Sequence, residues 1–301
     1  DLYLQFFLFI SFHFFNSFCY MFSFLKKKKA TLAAAHLAGV DGFICVGGAQ
    51  AIAAMAFGVG DIPCADVIVG PGNRWVTAAK KLVSGRVGID MLAGPSECLV
   101  LADKTASPIT IAADLLAQAE HDTDARAILI TTESSMVDAV NAEITKQLED
   151  LPTADTARVA VERAGFAMVA STMHEAIELV DRIAPEHLEV MTEDSAGISK
   201  QLLNYGGLFV GHQSAEVMGD YGAGPNHVLP TGGTGRYTGG LSVFTFLAIR
   251  TFMELDASNP ELKMVARDAV TVARVEGLEG HARAAELRLP ESERPKKRQK
   301  N

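Results

Sequence analysis

Residues able to carry chemistry fall at a few places along the chain. Pro185-Glu186-His187 joins a helical pattern to a strand-like run, and a carboxyl beside an imidazole just before a strand could serve as general acid and base. A surface Glu-His is the plainer alternative. Gln118-Ala119-Glu120-His121 closes a helical pattern, so Gln118 and His121, three apart, share a face. Imidazole is a common metal ligand and a Gln amide oxygen an uncommon one, so the pair alone makes a weak metal site. Gly219-Asp220-Tyr221 and Asn226-His227 lie in a glycine-rich stretch. An acidic side chain there could complete a metal site or fix a substrate amine, although Asp and Asn suit turns anyway. Glu276 and His281 fall in the last helical region, where a helix cap and an exposed His explain them sufficiently. Two glycine turns, Val46-Gly47-Gly48-Ala49-Gln50 and Val69-Gly70-Pro71-Gly72-Asn73, follow strand-like runs and open helices. Their free N–H groups could hold a pyrophosphate, but neither matches GxGxxG, and tight strand-to-helix turns account for both.

These residues need a frame, and the apolar periodicity supplies one. Strands are expected at Phe43–Val46, Val67–Val69, Cys98–Leu101, Ala127–Thr131, Phe166–Ala170, Leu188–Met191 and Leu208–Val210, separated by helical patterns. Such alternation implies parallel strand–helix–strand units. Residues 212–241 break the rhythm, and a long irregular loop is usually functional. Helices are expected at Leu241–Leu255 and Glu261–Arg288, split by Asn259-Pro260, before a basic, disordered tail.

A net charge of −9 supplies no broad basic face, which argues against nucleic acid as a partner. Cys19, Cys45, Cys64 and Cys98 form no CxxC pair, and the last three read as buried reduced thiols. Residues 2–25 are mostly apolar and rich in Phe, with Lys26–Lys29 following. The run is long enough for a membrane anchor. A signal peptide is ruled against by the position of the charge. The reading preferred here is a segment foreign to the rest, because composition changes abruptly at Ala30 and the chain opens on Asp1. Residues 1–29 are therefore expected to stand outside the fold, with no membrane association.

The order of the motifs says more than any one of them. GGAQA, VGPGN, AGPSE, QAEH, APEHLE, GDYxxGxNHVLPT and EGLxxH follow one another over residues 30–288 and strongly resemble the histidinol dehydrogenases. The resemblance implies an α/β fold: two incomplete Rossmann-like parallel-sheet domains, residues 30–97 and 98–240, followed by a small helical tail domain, residues 241–301. It implies zinc held by Gln118, His121, Asp220 and His281, and Glu186 and His187 as the catalytic pair. Substrate would meet Ser96 and Glu276 besides these residues, and NAD would meet Gln50 and Asn73. The implied reaction takes L-histidinol to L-histidine through the aldehyde with two NAD. His187 would take the alcohol proton, and Glu186 would activate the water that adds to the aldehyde. The resemblance further implies a homodimer, in which Glu276 and His281 of the tail serve the other subunit's site, and a location in the cytoplasm or plastid stroma.

The chain departs from the family ahead of Ala30, where a long stretch is expected that includes a YVPGG segment whose tyrosine contacts NAD. Losing strands from a parallel sheet exposes its edges. The alternative reading is therefore an inactive zinc-binding fragment. A zinc hydrolase is a further alternative, though the two glycine turns would have no task in one.

Overall fold

The computed structural model describes residues 7–13, 16–22, 29–256 and 258–294. The chain divides into two compact units, residues 1–247 and 248–301. The first unit carries β1 (Phe7–His13), β2 (Asn16–Phe22), α1 (Lys29–Ala38), β3 (Gly42–Ile44), α2 (Gly48–Phe57), β4 (Val67–Val69), α3 (Arg74–Val83) and β5 (Gly88–Ile89). It continues through β6 (Glu97–Ala102), α4 (Pro108–Ala119), β7 (Arg126–Thr131), α5 (Ser134–Gln147), α6 (Ala154–Ala164) and β8 (Phe166–Val169). Then come α7 (Met173–Ile183), β9 (His187–Met191), α8 (Ser195–Ser199), β10 (Gly207–Val210) and α9 (Glu216–Met218). The second unit carries α10 (Leu262–Val275) and α11 (Glu279–Glu286), with a break at Gly277, whose φ of 75° favours glycine.

Among the described residues there are two five-stranded sheets. The second, in the order β10-β9-β6-β7-β8, is parallel throughout, as the alternating pattern implied. Both of its faces are covered by helices, so its central strands are near-continuous apolar runs. Val100 and Leu129 pack with Ile111, Leu115 and Val140. Leu99, Leu101, Ile128, Ile130, Leu188 and Val190 pack with Ile177, Val180 and Ile198. Each such fully buried aliphatic side chain is worth about 1.5–3 kcal/mol of burial.

The first sheet, in the order β3-β2-β1-β4-β5, differs from expectation. Residues 1–29 were expected to stand outside the fold, yet the described part of that segment supplies two of its three inner strands. β1 runs antiparallel to β2 and β4, while β2 pairs parallel with β3. Aromatic-rich runs suit strands, and a segment apolar at nearly every position hides the two-residue period that would reveal them. The remainder of the run 2–25, and Lys26 to Lys28, lie outside the described residues, as does most of the basic tail. Among the described residues no helix is long and apolar enough to cross a membrane.

Three further differences have local causes. The helix expected over Leu241–Leu255 is absent; Val243–Phe246 forms one 3-10 turn, and among the described residues no regular element follows before α10. Its Val, Phe and Thr residues are weak helix formers, and Val243, Phe244, Ile249, Phe252 and Met253 lie exposed with no surface to pack on. Helix α6 was not anticipated because its buried stripe is only Ala157 and Ala160. Cys45 and Cys64 are exposed, so of the three cysteines read as buried only Cys98 is.

Candidate active site at the amino edge of the second sheet

Helix α7 starts at Thr172, whose hydroxyl accepts the Glu175 N–H, and ends at Ala184, which adopts a left-handed φ of 51°. Ala184 is fully buried, and Pro185 after it cannot continue the helix. That strained turn delivers Glu186 and His187 to the first position of β9. Neighbouring chain holds them there. Gly206 N–H donates to the Pro185 carbonyl and Gly207 N–H to the Glu186 carbonyl. A Cβ on Gly206 would lie 2.5 Å from the Glu186 carbonyl oxygen, so only glycine fits.

Both members of the pair are buried. Glu186 Oε2 accepts the backbone N–H of Glu97 at 2.9 Å. His187 Nδ1 lies 3.1 Å from the backbone carbonyl oxygen of the same residue. A carbonyl can only accept, so Nδ1 carries the proton and the neutral ring keeps its lone pair on Nε2, the form a general base requires. Glu216 Oε2 stands 3.2 Å from Nδ1, off the line of that N–H. Burial pushes the Glu186 carboxyl well above the usual carboxylate range; the Glu97 N–H pulls it down, and the Glu97 and Asp220 carboxyls push it further up. Burial likewise lowers His187, against the Glu97 carbonyl and the Asp220 charge, with His121 and His227 adding to the fall. The site thus brings Asp220, His121 and His227 within electrostatic reach of the pair.

Gln118 is at the carboxyl end of α4, buried, and both atoms of its amide lack any partner. A buried unsatisfied amide costs about 1–3 kcal/mol per polar atom and calls for a ligand. His121 follows one turn on, half-buried. Among the described residues no group of three or more His, Cys, Asp or Glu side chains is close enough to hold a metal ion. A Gln amide is outside that count. Ser96 is half-buried at the entry to β6, where its carbonyl accepts the Arg126 N–H.

The remaining candidates belong to other elements: Gln50 and Asn73 to α2 and α3, and Glu276 and His281 to the second unit. Gln50, exposed, lies in the first turn of α2. Asn73 caps α3, its Oδ1 accepting the Trp75 and Val76 N–H groups. The turn before Asn73 is braced by a buried ion pair. Asp90 Oδ2 accepts the Gly70 N–H at 2.7 Å, while Lys80 donates to the Gly70 carbonyl at 3.0 Å and pairs with Asp90. Glu276, at the end of α10, and His281, in α11, are exposed residues of the second unit.

Several functional-looking groups escaped the sequence reading. Behind His187 lie three buried carboxyls, Asp114, Glu189 and Glu216. Glu189 Oε1 accepts the Glu216 N–H at 2.7 Å. No donor reaches Asp114 Oδ2 or Glu189 Oε2, so the two side chains hydrogen-bond only by keeping a proton between them. Burial, then the Asp114 carboxylate, raises Glu189 to about 8. Burial and the surrounding carboxyls push Glu216 well up. The signal was present: a Glu between Leu188 and Val190 interrupts a strand whose other residues are buried on both faces.

The family model described as histidinol dehydrogenase matches residues 24–289. A histidinol dehydrogenase of Thermus thermophilus is 48% identical over 263 residues, covering 87% of this chain and 63% of that protein. One from Geobacillus kaustophilus is 50% identical over 262 residues, with 87% and 61% covered. The crystal structure of a histidinol dehydrogenase from Elizabethkingia anophelis superposes with a TM-score of 0.80 at 38% identity, covering 86% of this chain and 59% of that one. The chain thus spans about three-fifths of the length of the relatives it matches.

Proposed function

The chain belongs to the histidinol dehydrogenase family, and on that premise we propose that it oxidises L-histidinol to L-histidine through the aldehyde, with zinc and NAD. The observation that carries this reading is the buried pair at the start of β9, with Nδ1 of His187 turned to a carbonyl and Nε2 left free. His187 takes the alcohol proton on Nε2 in each oxidation. Glu186, as carboxylate, draws a proton from the water that adds to the aldehyde carbon. Burial of both keeps bulk water from the reacting carbon, so the aldehyde is retained.

Gln118, His121 and Asp220 offer one amide oxygen, one imidazole and one carboxylate, a set suited to a borderline dication, and the orphaned Gln118 amide fits that role. His281, from the second unit, would be the fourth ligand. The ion, when bound, supplies positive charge and a template for the amino alcohol, and its charge favours the ionised Glu186. Ser96 and Glu276 would meet the substrate. NAD, the hydride acceptor, would be held at the glycine turns with Gln50 and Asn73. A homodimer in which the tail serves the partner's site is supported by the exposed Ile249, Phe252 and Met253, at 95%, 85% and 80%.

The test is histidinol-dependent NADH formation by the purified 301-residue chain with added zinc, beside a Glu186→Gln control. Turnover that the control lowers by about a hundredfold or more supports the reading. Turnover equal in both sinks the assignment of Glu186. Zinc binding without turnover favours the alternative of a zinc-binding fragment.

A further inference from the structure

The catalytic pair proposed above is oriented by one residue, Glu97, through both of its peptide groups. Its N–H meets Glu186 Oε2 at 2.9 Å and its carbonyl meets His187 Nδ1 at 3.1 Å. Any shift of the Glu97 backbone turns both side chains at once. Glu97 is the first residue of β6 and lies beside the start of β9, in the register that pairs Cys98 with His187.

The Glu97 side chain is itself buried, at 3% exposure, and is held from two directions. Oε2 accepts the Gly232 N–H at 3.3 Å, and Oε1 lies 3.5 Å from Arg126 Nη1. Gly232 ends a strap in which Val228, Leu229, Pro230 and Thr231 are buried. The strap is fastened a second time to the same segment, where Thr231 Oγ1 accepts the Gly94 N–H. A buried carboxyl in a strand costs burial free energy that an apolar residue would not, and burial indeed pushes this one up. Its contacts explain why it stands there.

We infer that Glu97 is a positioning residue: its side chain, tied to Gly232 and Arg126, fixes the backbone N–H and carbonyl that hold Glu186 and His187 in working orientation. The inference rests on the catalytic pair proposed above, but the orientation itself can be measured without turnover.

The experiment compares Glu97→Gln with Glu97→Asp in the full chain. Gln keeps an oxygen at the reach of Gly232 and loses the charge. Asp keeps the charge and, one methylene shorter, loses the reach. Both leave a polar group in the pocket, so neither empties it. The first readout is the ring-nitrogen NMR spectrum of histidine-labelled protein at about pH 8, where a buried histidine is neutral, with His187 assigned by its loss in His187→Asn. The unaltered chain is expected to show the Nδ1–H tautomer at His187. Glu97→Gln should keep it, and Glu97→Asp should show a mixture. The second readout is turnover, expected to fall on the order of a hundredfold in kcat for Glu97→Asp at little-changed KM, with Glu97→Gln near normal. An unchanged His187 tautomer in Glu97→Asp overturns the inference, and so does an equal disturbance in both variants, which would make charge rather than reach the cause. The expected tautomers in a chain without turnover would leave the positioning standing and remove only the activity.

Discussion

Replacing Glu189 by Gln changes how stability depends on pH, and the size follows from the buried carboxyl pair. Burial and the Asp114 carboxylate raise Glu189 from 4.5 to about 8 in the folded protein, whereas unfolding restores the ordinary value. A carboxyl whose folded pKa is raised contributes stability that is fully present below the unfolded value and lost as pH rises through the folded one. Between these limits the native chain holds a proton that the unfolded chain has released. Stability should therefore fall by about 1.4 kcal/mol per pH unit on this account. Gln keeps an oxygen for the Glu216 N–H and offers Asp114 an amide N–H, but it cannot titrate. Chemical unfolding of both proteins, followed by circular dichroism at about pH 5.5 and about pH 7.5, should show the variant gaining roughly 2–3 kcal/mol on the parent between the two conditions. A difference between variant and parent that is the same at both pH values would refute the claim that Glu189 keeps its proton in the folded state.

Other perturbations read other parts of the structure. Lys80→Met leaves the Asp90 carboxylate buried without its partner and should cost about 3–5 kcal/mol in chemical unfolding; a loss under ~1 kcal/mol would mean that the pair is not what braces the Gly70 turn. Gly206→Ala puts a methyl against the Glu186 carbonyl and Pro230, so a loss of about 1–3 kcal/mol in thermal or chemical unfolding is expected, with kcat falling more than KM rises. Asn73→Ala removes the acceptor for two N–H groups at the start of α3 and should lower stability by about 1 kcal/mol, whereas Asn73→Asp should restore it.

The strands of the second sheet were legible because burial on both faces writes them as short unbroken apolar runs, such as Cys98–Leu101 and Leu188–Met191. Glu186 and His187 were legible as a pair at a strand entry, though their burial was not. Glu97 was invisible as a functional residue because it acts through its backbone, and no residue type advertises a peptide N–H and carbonyl. Gly206 was equally silent, since its need arises from a close approach by Glu186 far away in sequence. The strands at Phe7–His13 and Asn16–Phe22 were missed because an apolar run with no polar alternation carries no period to read. The helix expected over Leu241–Leu255 failed for a converse reason: apolar spacing suggests a helix only where something exists for its face to cover.

Glu97 and the pair Glu186 and His187 sit at the amino ends of β6 and β9, the reverse of the edge at which doubly wound sheets usually hold ligands. A parallel sheet gives its two edges opposite electrical characters. At this edge helices α4 and α7 terminate, and each helix end carries the equivalent of about half a negative charge. With the Asp220 carboxyl added, the edge favours a cation over a phosphate. Helices α2 and α3 instead begin beside their glycine turns and present amino ends there. The architecture thus sorts what can bind by sign. By sign alone, the start of β9 suits a cation, and the amino ends of α2 and α3 suit an anion. Exchanging the two would mean reversing the helices themselves, which no substitution of single side chains can do.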